Sequence, residues 1–184
     1  VARGLQFLRR EQEEDGSWFG RWGNNYVYGT WSVLSAFNAI GVDMESNYAQ
    51  KAAKWLKYCQ RPDGGWGEDC SSYYQHHRWY VSEENLRRRL AAVKMSTPSQ
   101  TSWALLGLMA AGEIESGAVA RGIEYLLKAK RTGGKWDEEY FNAVGFPRVF
   151  YLRYHGYSAY FPLWTLARYR NIRKSGTKFP KFGM

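Results

Sequence analysis

Three stretches of the chain repeat one sixteen-residue pattern: RGLQFLRREQEEDGSW (residues 3–18), KAAKWLKYCQRPDGGW (51–66) and RGIEYLLKAKRTGGKW (121–136). A basic and a small residue open each copy, an aromatic or aliphatic pair follows, then Gln at the tenth position, then Gly-x-Trp. In the third copy Lys130 stands where Gln12 and Gln60 stand in the others. A pattern recurring at fixed internal spacing is the mark of a repeat architecture, in which each unit buries its apolar face against the next. Each copy reads as a helix ending in a turn. Leu5 and Leu8 with flanking Phe7, then Ala52, Ala53 and Leu56, then Val119, Ile123, Leu126 and Leu127 mark the apolar stripes. The glycine lets the chain turn, and the tryptophan covers the turn.

More apolar helices are expected between the copies, over 30–40, 97–111 and 157–172. The middle one carries a start signal: Thr97 fits the N-cap, Pro98 the first helical position and Gln100 the third, as in a capping box. Its body is apolar nearly all round, which marks a buried helix. The pattern implies an all-α row of helical hairpins, with a half-exposed outer helix followed by a buried inner one. Such a row runs open as a solenoid or closes into an α/α toroid.

With 184 residues, 45% hydrophobic and 17% aromatic, the chain suits one packed domain. The net charge of +9 is spread along it, apart from the run Arg87-Arg88-Arg89, and no zinc knuckle, RNP-like or basic-zipper motif accompanies it. No nucleic-acid partner is expected. Cys59 and Cys70 form no disulfide framework, which makes a reducing compartment the easier reading, and they match no C-x-x-C pattern. His76, His77 and His155 lack zinc-site spacing, so no metal is expected. No apolar run reaches the roughly 18 residues of a membrane span. The first residue is not methionine and already reads as helix, which suggests a piece of a longer protein.

Residues 12–30, QEEDGSWFGRWGNNYVYGT, hold five aromatic residues among four glycines, too broken for a core helix and too aromatic for a solvated loop. Taken with DGGWGEDCSSY, STPSQTSWALLGL and GFPRVFYLRYHGYSAYFPLWTLARYR, this stretch resembles the ordered C-terminal landmarks of squalene-hopene cyclases, and the repeats resemble the QW motif of class II triterpene cyclases. The resemblance covers nearly the whole chain and is weakest between residues 74 and 95. It implies that residues 1–184 are the C-terminal part of one α/α barrel, whose inner helices line a dry cavity. There a linear C30 polyene such as squalene is protonated and cyclised through a carbocation cascade. Aromatic faces suit that chemistry, because they stabilise cations without supplying a nucleophile that would trap them.

Position by position, the resemblance places Trp22 and Tyr28 near the protonated end of the substrate. Phe146 and Phe150 face the cations of the growing rings, and Tyr154 and Tyr157 shape the pocket near the first rings. The spacing of these last four would put them on one helical face, with helix expected only from about Val149 because of Pro147. Gln12, Trp18, Gln60, Trp66 and Trp136 are read as structural, tying outer helices together. For every pocket ring the competing reading is core packing.

The proton donor of the family lies in a D-x-D-D motif that this chain lacks, and no metal or cofactor is implied. Asp15, Glu68-Asp69 and Asp137-Glu138-Glu139 are expected on the outside of the barrel, in the QW turns. The resemblance also implies a monotopic association with the cytoplasmic face of a membrane and allows a homodimer. In residues 74–95, Ser82, Glu83 and Glu84 followed by Leu86, Leu90 and Val93 suggest a short amphipathic helix, read as an anionic-lipid contact or a solvated surface. Arg148 stands where the family has a small residue. Two other classes compete: an α/α-toroid glycosidase using Asp15, Asp69 and Glu138, and a non-catalytic repeat scaffold. A zinc prenyltransferase is disfavoured by the missing ligand set.

Overall fold

The computed structural model describes residues 1–74 and 95–180. The expected amphipathic helix, the Arg87–Arg89 run and nearly all of the basic segment lie outside these described residues. Among them are six α-helices: α1 (Ala2–Arg10), α2 (Asn25–Ala39), α3 (Asn47–Tyr58), α4 (Pro98–Ala110), α5 (Gly117–Lys128) and α6 (Tyr157–Ser175). No described helix is long and apolar enough to cross a membrane. The odd-numbered helices carry the repeats, and the even-numbered ones alternate with them; α2 and α4 are buried as expected, whereas α6 buries only Ser158, Pro162, Thr165 and Ile172 and leaves Tyr160 and Leu163 exposed. The expected all-α character holds, with two small antiparallel hairpins added in the C-terminal half: β1 (Arg131–Thr132) with β2 (Lys135–Trp136), and β3 (Ala143–Phe146) with β4 (Phe150–Leu152).

Helix α4 is the hub. All thirteen of its residues are buried, and it packs against α2, α5 and α6. The close approach depends on Gly107, where an added Cβ would lie 3.2 Å from the Cα of Trp31 and 3.1 Å from Leu56. Outer helices are amphipathic in the expected register: α3 buries Ala52, Ala53 and Leu56, and α5 buries Val119, Ile123 and Leu126. Two residues of the anticipated stripes depart from it. Leu127 is 58% exposed, since it lies next to Leu126 and hence about 100° round the helix, and Phe7 is 52% exposed on a helix with no buried residue.

The repeat is a hydrogen-bonding device. Gln12 Nε2 donates to the Gly16 carbonyl at 2.9 Å and to the Tyr48 carbonyl in the first turn of α3 at 2.8 Å. Gln60 Nε2 does the same to Gly64 and to Ala118 in the first turn of α5, both at 2.8 Å. The indole N–H of Trp18, Trp66 and Trp136 donates in each case to the carbonyl ten residues earlier, Leu8, Leu56 and Leu126, at 2.7, 2.7 and 2.8 Å. The backbone N–H groups of Trp18 and Trp66 are taken by the hydroxyls of Thr30 on α2 and Thr101 on α4. The first two turns are thereby fastened to the next outer helix by their Gln and to an inner helix by their Trp. Glycine is required because the turn has positive φ, 99° at Gly16 and 86° at Gly64, and presses on the next outer helix. An added Cβ would stand 2.7 Å from the carbonyl oxygens of Lys51 and Arg121. In the third turn Lys130 pairs with Asp137 at 3.5 Å, and the β1–β2 hairpin replaces the glutamine brace.

Helix starts correct two further expectations. Thr97 caps α4 by accepting from the Gln100 N–H, as expected. The Gln100 side chain, however, does not reach back to close a capping box. It turns to Glu68, accepting from its backbone N–H and donating to its carbonyl at 2.7 Å. Glu68 and Glu138 are not outward-facing turn residues either. Glu68 accepts from the N–H groups of Asn25, Tyr26 and Val27 at 3.2, 3.2 and 3.1 Å and so caps α2, whose own Asn24 makes no side-chain cap. Glu138 takes the hydroxyl of Ser99 in the first turn of α4. Two residues after its tryptophan, each carboxylate meets the positive end of the preceding inner helix. Burial raises both carboxyls above the ordinary carboxylate value, against the pull of the hydrogen bonds that they accept.

Candidate functional site

The even-numbered helices present a sheet of aromatic rings. Trp31 on α2 and Trp103 on α4 are stacked at 6.1 Å with planes 9° apart. Tyr28 meets both edge-on, at 5.4 and 5.1 Å, and Phe161 on α6 meets both at 5.5 Å. Tyr157 lies 5.8 Å from Trp103 and 5.1 Å from Phe161, Tyr154 lies 5.0 Å from Tyr157, and Trp164 extends the row beyond Phe161 at 6.1 Å. Edge-to-face pairs of this kind are each worth about 0.5–1.5 kcal/mol beyond burial, so the layer is rigid as well as apolar. Trp31 and Trp103 form its floor at 5% and 0% exposure, whereas Tyr154 at 48% offers a free face.

A second group sits beside it. Trp22, in the glycine-rich stretch before α2, meets Phe146 at 6.4 Å, and Phe146 meets Phe150 at 5.8 Å. These rings are 51%, 52% and 44% exposed. They are held by backbone. Trp22 accepts from Val144 N–H at 3.1 Å, Gly23 bridges to Ala143, and the Asn24 side chain donates to the Phe141 carbonyl at 2.9 Å. The stretch is thus tied to the β3–β4 hairpin through an isolated antiparallel bridge.

The expected helix from Val149 is absent. Residues 146–149 form a tight turn, with Val149 N–H donating to the Phe146 carbonyl at 3.0 Å, and a register irregularity follows Val144. The spacing of Phe146 and Phe150 suits a helical face, but here it spans a hairpin, in which the two residues are cross-strand partners. Two glycines make room for the rings: a Cβ on Gly145 would fall 2.0 Å from the Phe150 ring, and one on Gly23 2.2 Å from Tyr28. All six expected pocket residues therefore lie in two aromatic groups, Trp22 with Phe146 and Phe150, and Tyr28 with Tyr154 and Tyr157. Trp31, Trp103, Phe161 and Trp164 were not anticipated. The i, i+3, i+7, i+10 series 154, 157, 161, 164 was a signal for the last two.

Burial raises the hydroxyl pKa of Tyr28, and it raises that of Tyr157 with a smaller contribution from Tyr28 and Tyr154. These phenols stay neutral at physiological pH and present faces rather than anions. The carboxylates considered as a glycosidase pair are engaged in turns: Asp15 Oδ1 accepts from Ser17 N–H and hydroxyl, Asp69 Oδ1 from Ser71, and Glu138 from Ser99. Among the described residues no cluster of three or more His, Cys, Asp and Glu side chains gathers as a metal site.

Helical hairpins laced by Gln and Trp, with aromatic rings spread over one layer, define an α-helical repeat protein. Residues 1–171 match the family described as squalene-hopene cyclase C-terminal domain. The chain is 56% identical over 175 residues to a probable squalene–hopene cyclase of Sinorhizobium fredii, covering 95% of this chain and 25% of that protein. It is 52% identical over 184 residues to the squalene–hopene cyclase of Bradyrhizobium diazoefficiens, covering 100% of this chain and 26% of that one. Lanosterol synthase of Mus musculus is 36% identical over 181 residues, covering 96% of this chain and 23% of that protein. The chain belongs to the squalene-hopene cyclase family of class II triterpene cyclases, as a C-terminal portion, and spans about a quarter of the length of the curated relatives it matches.

Proposed function

We propose that this chain forms part of the cavity wall of a squalene-hopene-type cyclase, an α/α toroid that folds a linear C30 polyene and cyclises it through a carbocation cascade. The observation that carries the reading is the continuous ring layer on α2, α4 and α6 together with the Trp22–Phe146–Phe150 group. A cation passing over such faces gains about 0.5–1 kcal/mol per ring at an exposed site and about 2 kcal/mol or more where water is excluded. The neutral phenols of Tyr28 and Tyr157 leave no anion in the wall to quench it. Trp22 and Tyr28 serve the end where protonation starts, Phe146 and Phe150 the later rings, and Tyr154 and Tyr157 the first ones.

The general acid comes from a D-x-D-D segment elsewhere in the full-length protein, so the isolated chain is inactive. Because a C30 hydrocarbon partitions into lipid, the enzyme works at a membrane surface on the cytoplasmic side as a monotopic protein. The test is to incubate the full-length protein that carries this chain with squalene and with oxidosqualene, and to analyse the extracted lipids. A pentacyclic triterpene supports the reading. Recovery of both substrates unchanged by folded full-length protein, or a parent sequence without an acidic D-x-D-D segment, overturns it.

A further inference from the structure

Arg148 is the one non-glycine residue with positive φ among the described residues, at 69°. It occupies the third position of the turn Phe146-Pro147-Arg148-Val149, closed by the Val149 N–H to Phe146 carbonyl bond. Proline second and positive φ third is the pattern of a type II turn, where glycine or asparagine is the unstrained choice. An arginine there needs a compensating interaction, and two are present: its Nε donates to the Tyr73 carbonyl at 2.7 Å, and its backbone N–H donates to the Tyr151 hydroxyl at 3.2 Å. The two partners are themselves in contact, the Tyr151 ring lying 6.2 Å from that of Tyr73.

Tyr73 in turn reaches the other pocket segment. Its ring is buried, and its hydroxyl proton is shared between the carbonyls of Gly20 and Gly23, the residues that bracket Trp22. Phe19 packs edge-on against the same ring at 5.6 Å. The turn that carries Phe146 and Phe150 is therefore joined to the loop that carries Trp22 by the chain Arg148, Tyr73, Gly20 and Gly23. This link is separate from the direct backbone bridge at Gly23 and Ala143.

We propose that Arg148 is a positioning residue which, through Tyr73, sets the relative placement of Trp22, Phe146 and Phe150 and thereby the point at which ring closure ends. The guanidinium touches no reacting atom. It fixes a strained turn in the one orientation in which its Nε meets the Tyr73 carbonyl. The product-setting half of this inference rests on the cyclase reading; the latch itself does not.

The experiment compares Arg148→Asn, Arg148→Gly and Arg148→Lys in the full-length protein that carries this chain. Asparagine and glycine both tolerate positive φ, so each removes the latch while relieving the turn, and failure to fold is not expected. Hydrogen exchange of the amides at residues 20–25 and 143–146 should quicken by about tenfold in the Asn and Gly variants, the effect of one lost hydrogen bond. Arg148→Lys, which keeps a donor, should recover part of the protection. With squalene, the Asn and Gly variants should raise the share of incompletely cyclised products several-fold at nearly unchanged total turnover. Unchanged exchange overturns the latch. Faster exchange with an unchanged product ratio overturns the assignment to product control. A parent protein that converts no C30 polyene overturns the cyclase reading, and the exchange comparison then decides the latch alone.

Discussion

Replacing Glu68 with alanine should loosen the start of α2 and leave the other helices alone. The carboxylate accepts three backbone N–H groups, from Asn25, Tyr26 and Val27, and nothing on α2 itself substitutes for it, because Asn24 makes no side-chain cap. Each part-buried bond contributes about 1 kcal/mol, so three amount to roughly 3 kcal/mol. Relief of a shielded carboxylate, whose pKa burial has raised, offsets a fraction of this and leaves roughly 2–3 kcal/mol. In hydrogen exchange that is on the order of a hundredfold faster opening at residues 25–27. Glu68→Gln should show about half the free-energy effect, since one carbonyl oxygen serves at most two of three donors and its amide N–H2 faces like groups. If exchange at residues 25–27 were unchanged in Glu68→Ala, or rose equally in α4 and α5, a distant carboxylate capping α2 would be the wrong account.

The repeat gives a matched pair: Gln60→Ala removes the bonds to Gly64 and Ala118 and should lower stability by about 2 kcal/mol in urea denaturation. Lys130→Gln should change it by less than about 0.5 kcal/mol, because the ion pair with Asp137 is largely exposed. In the full-length protein Phe150→Ala should release partly cyclised products, and Gly145→Ala, whose Cβ would fall 2.0 Å from the Phe150 ring, should give the same products by displacing that ring. An unchanged product profile in soluble, folded variants would mean that Phe150 is only packing.

The repeat was legible because its interactions are local and periodic. Gln and Gly-x-Trp recur at fixed offsets, and the Trp-to-carbonyl bond always spans ten residues. The Thr97 cap was legible for the same reason. What escaped was non-local. Glu68 caps a helix more than forty residues earlier, and its acidic turn reads like an ordinary exposed one. Gln100 fits a capping box, but its side chain makes two bonds to the Glu68 backbone instead. The 146–154 segment misled because aromatic residues four apart suit both a helix face and a short hairpin, and the positive φ falls on an arginine rather than a glycine. Six of the rings were singled out from the resemblance; Trp31, Trp103, Phe161 and Trp164 beside them were not, and the division of the whole set between a hairpin, the stretch before α2 and the helices was not readable.

The claim that these rings line the cavity is tested most directly by photolabelling the full-length protein with a photoreactive C30 polyene analogue and mapping the modified peptides. Labelling should fall on the peptides that hold Trp22 and Tyr28 and on those spanning residues 146–161, and excess squalene should suppress it. Squalene-suppressible labelling confined to the outer turns around Trp18, Trp66 and Trp136, with residues 146–161 unmodified, would contradict the account.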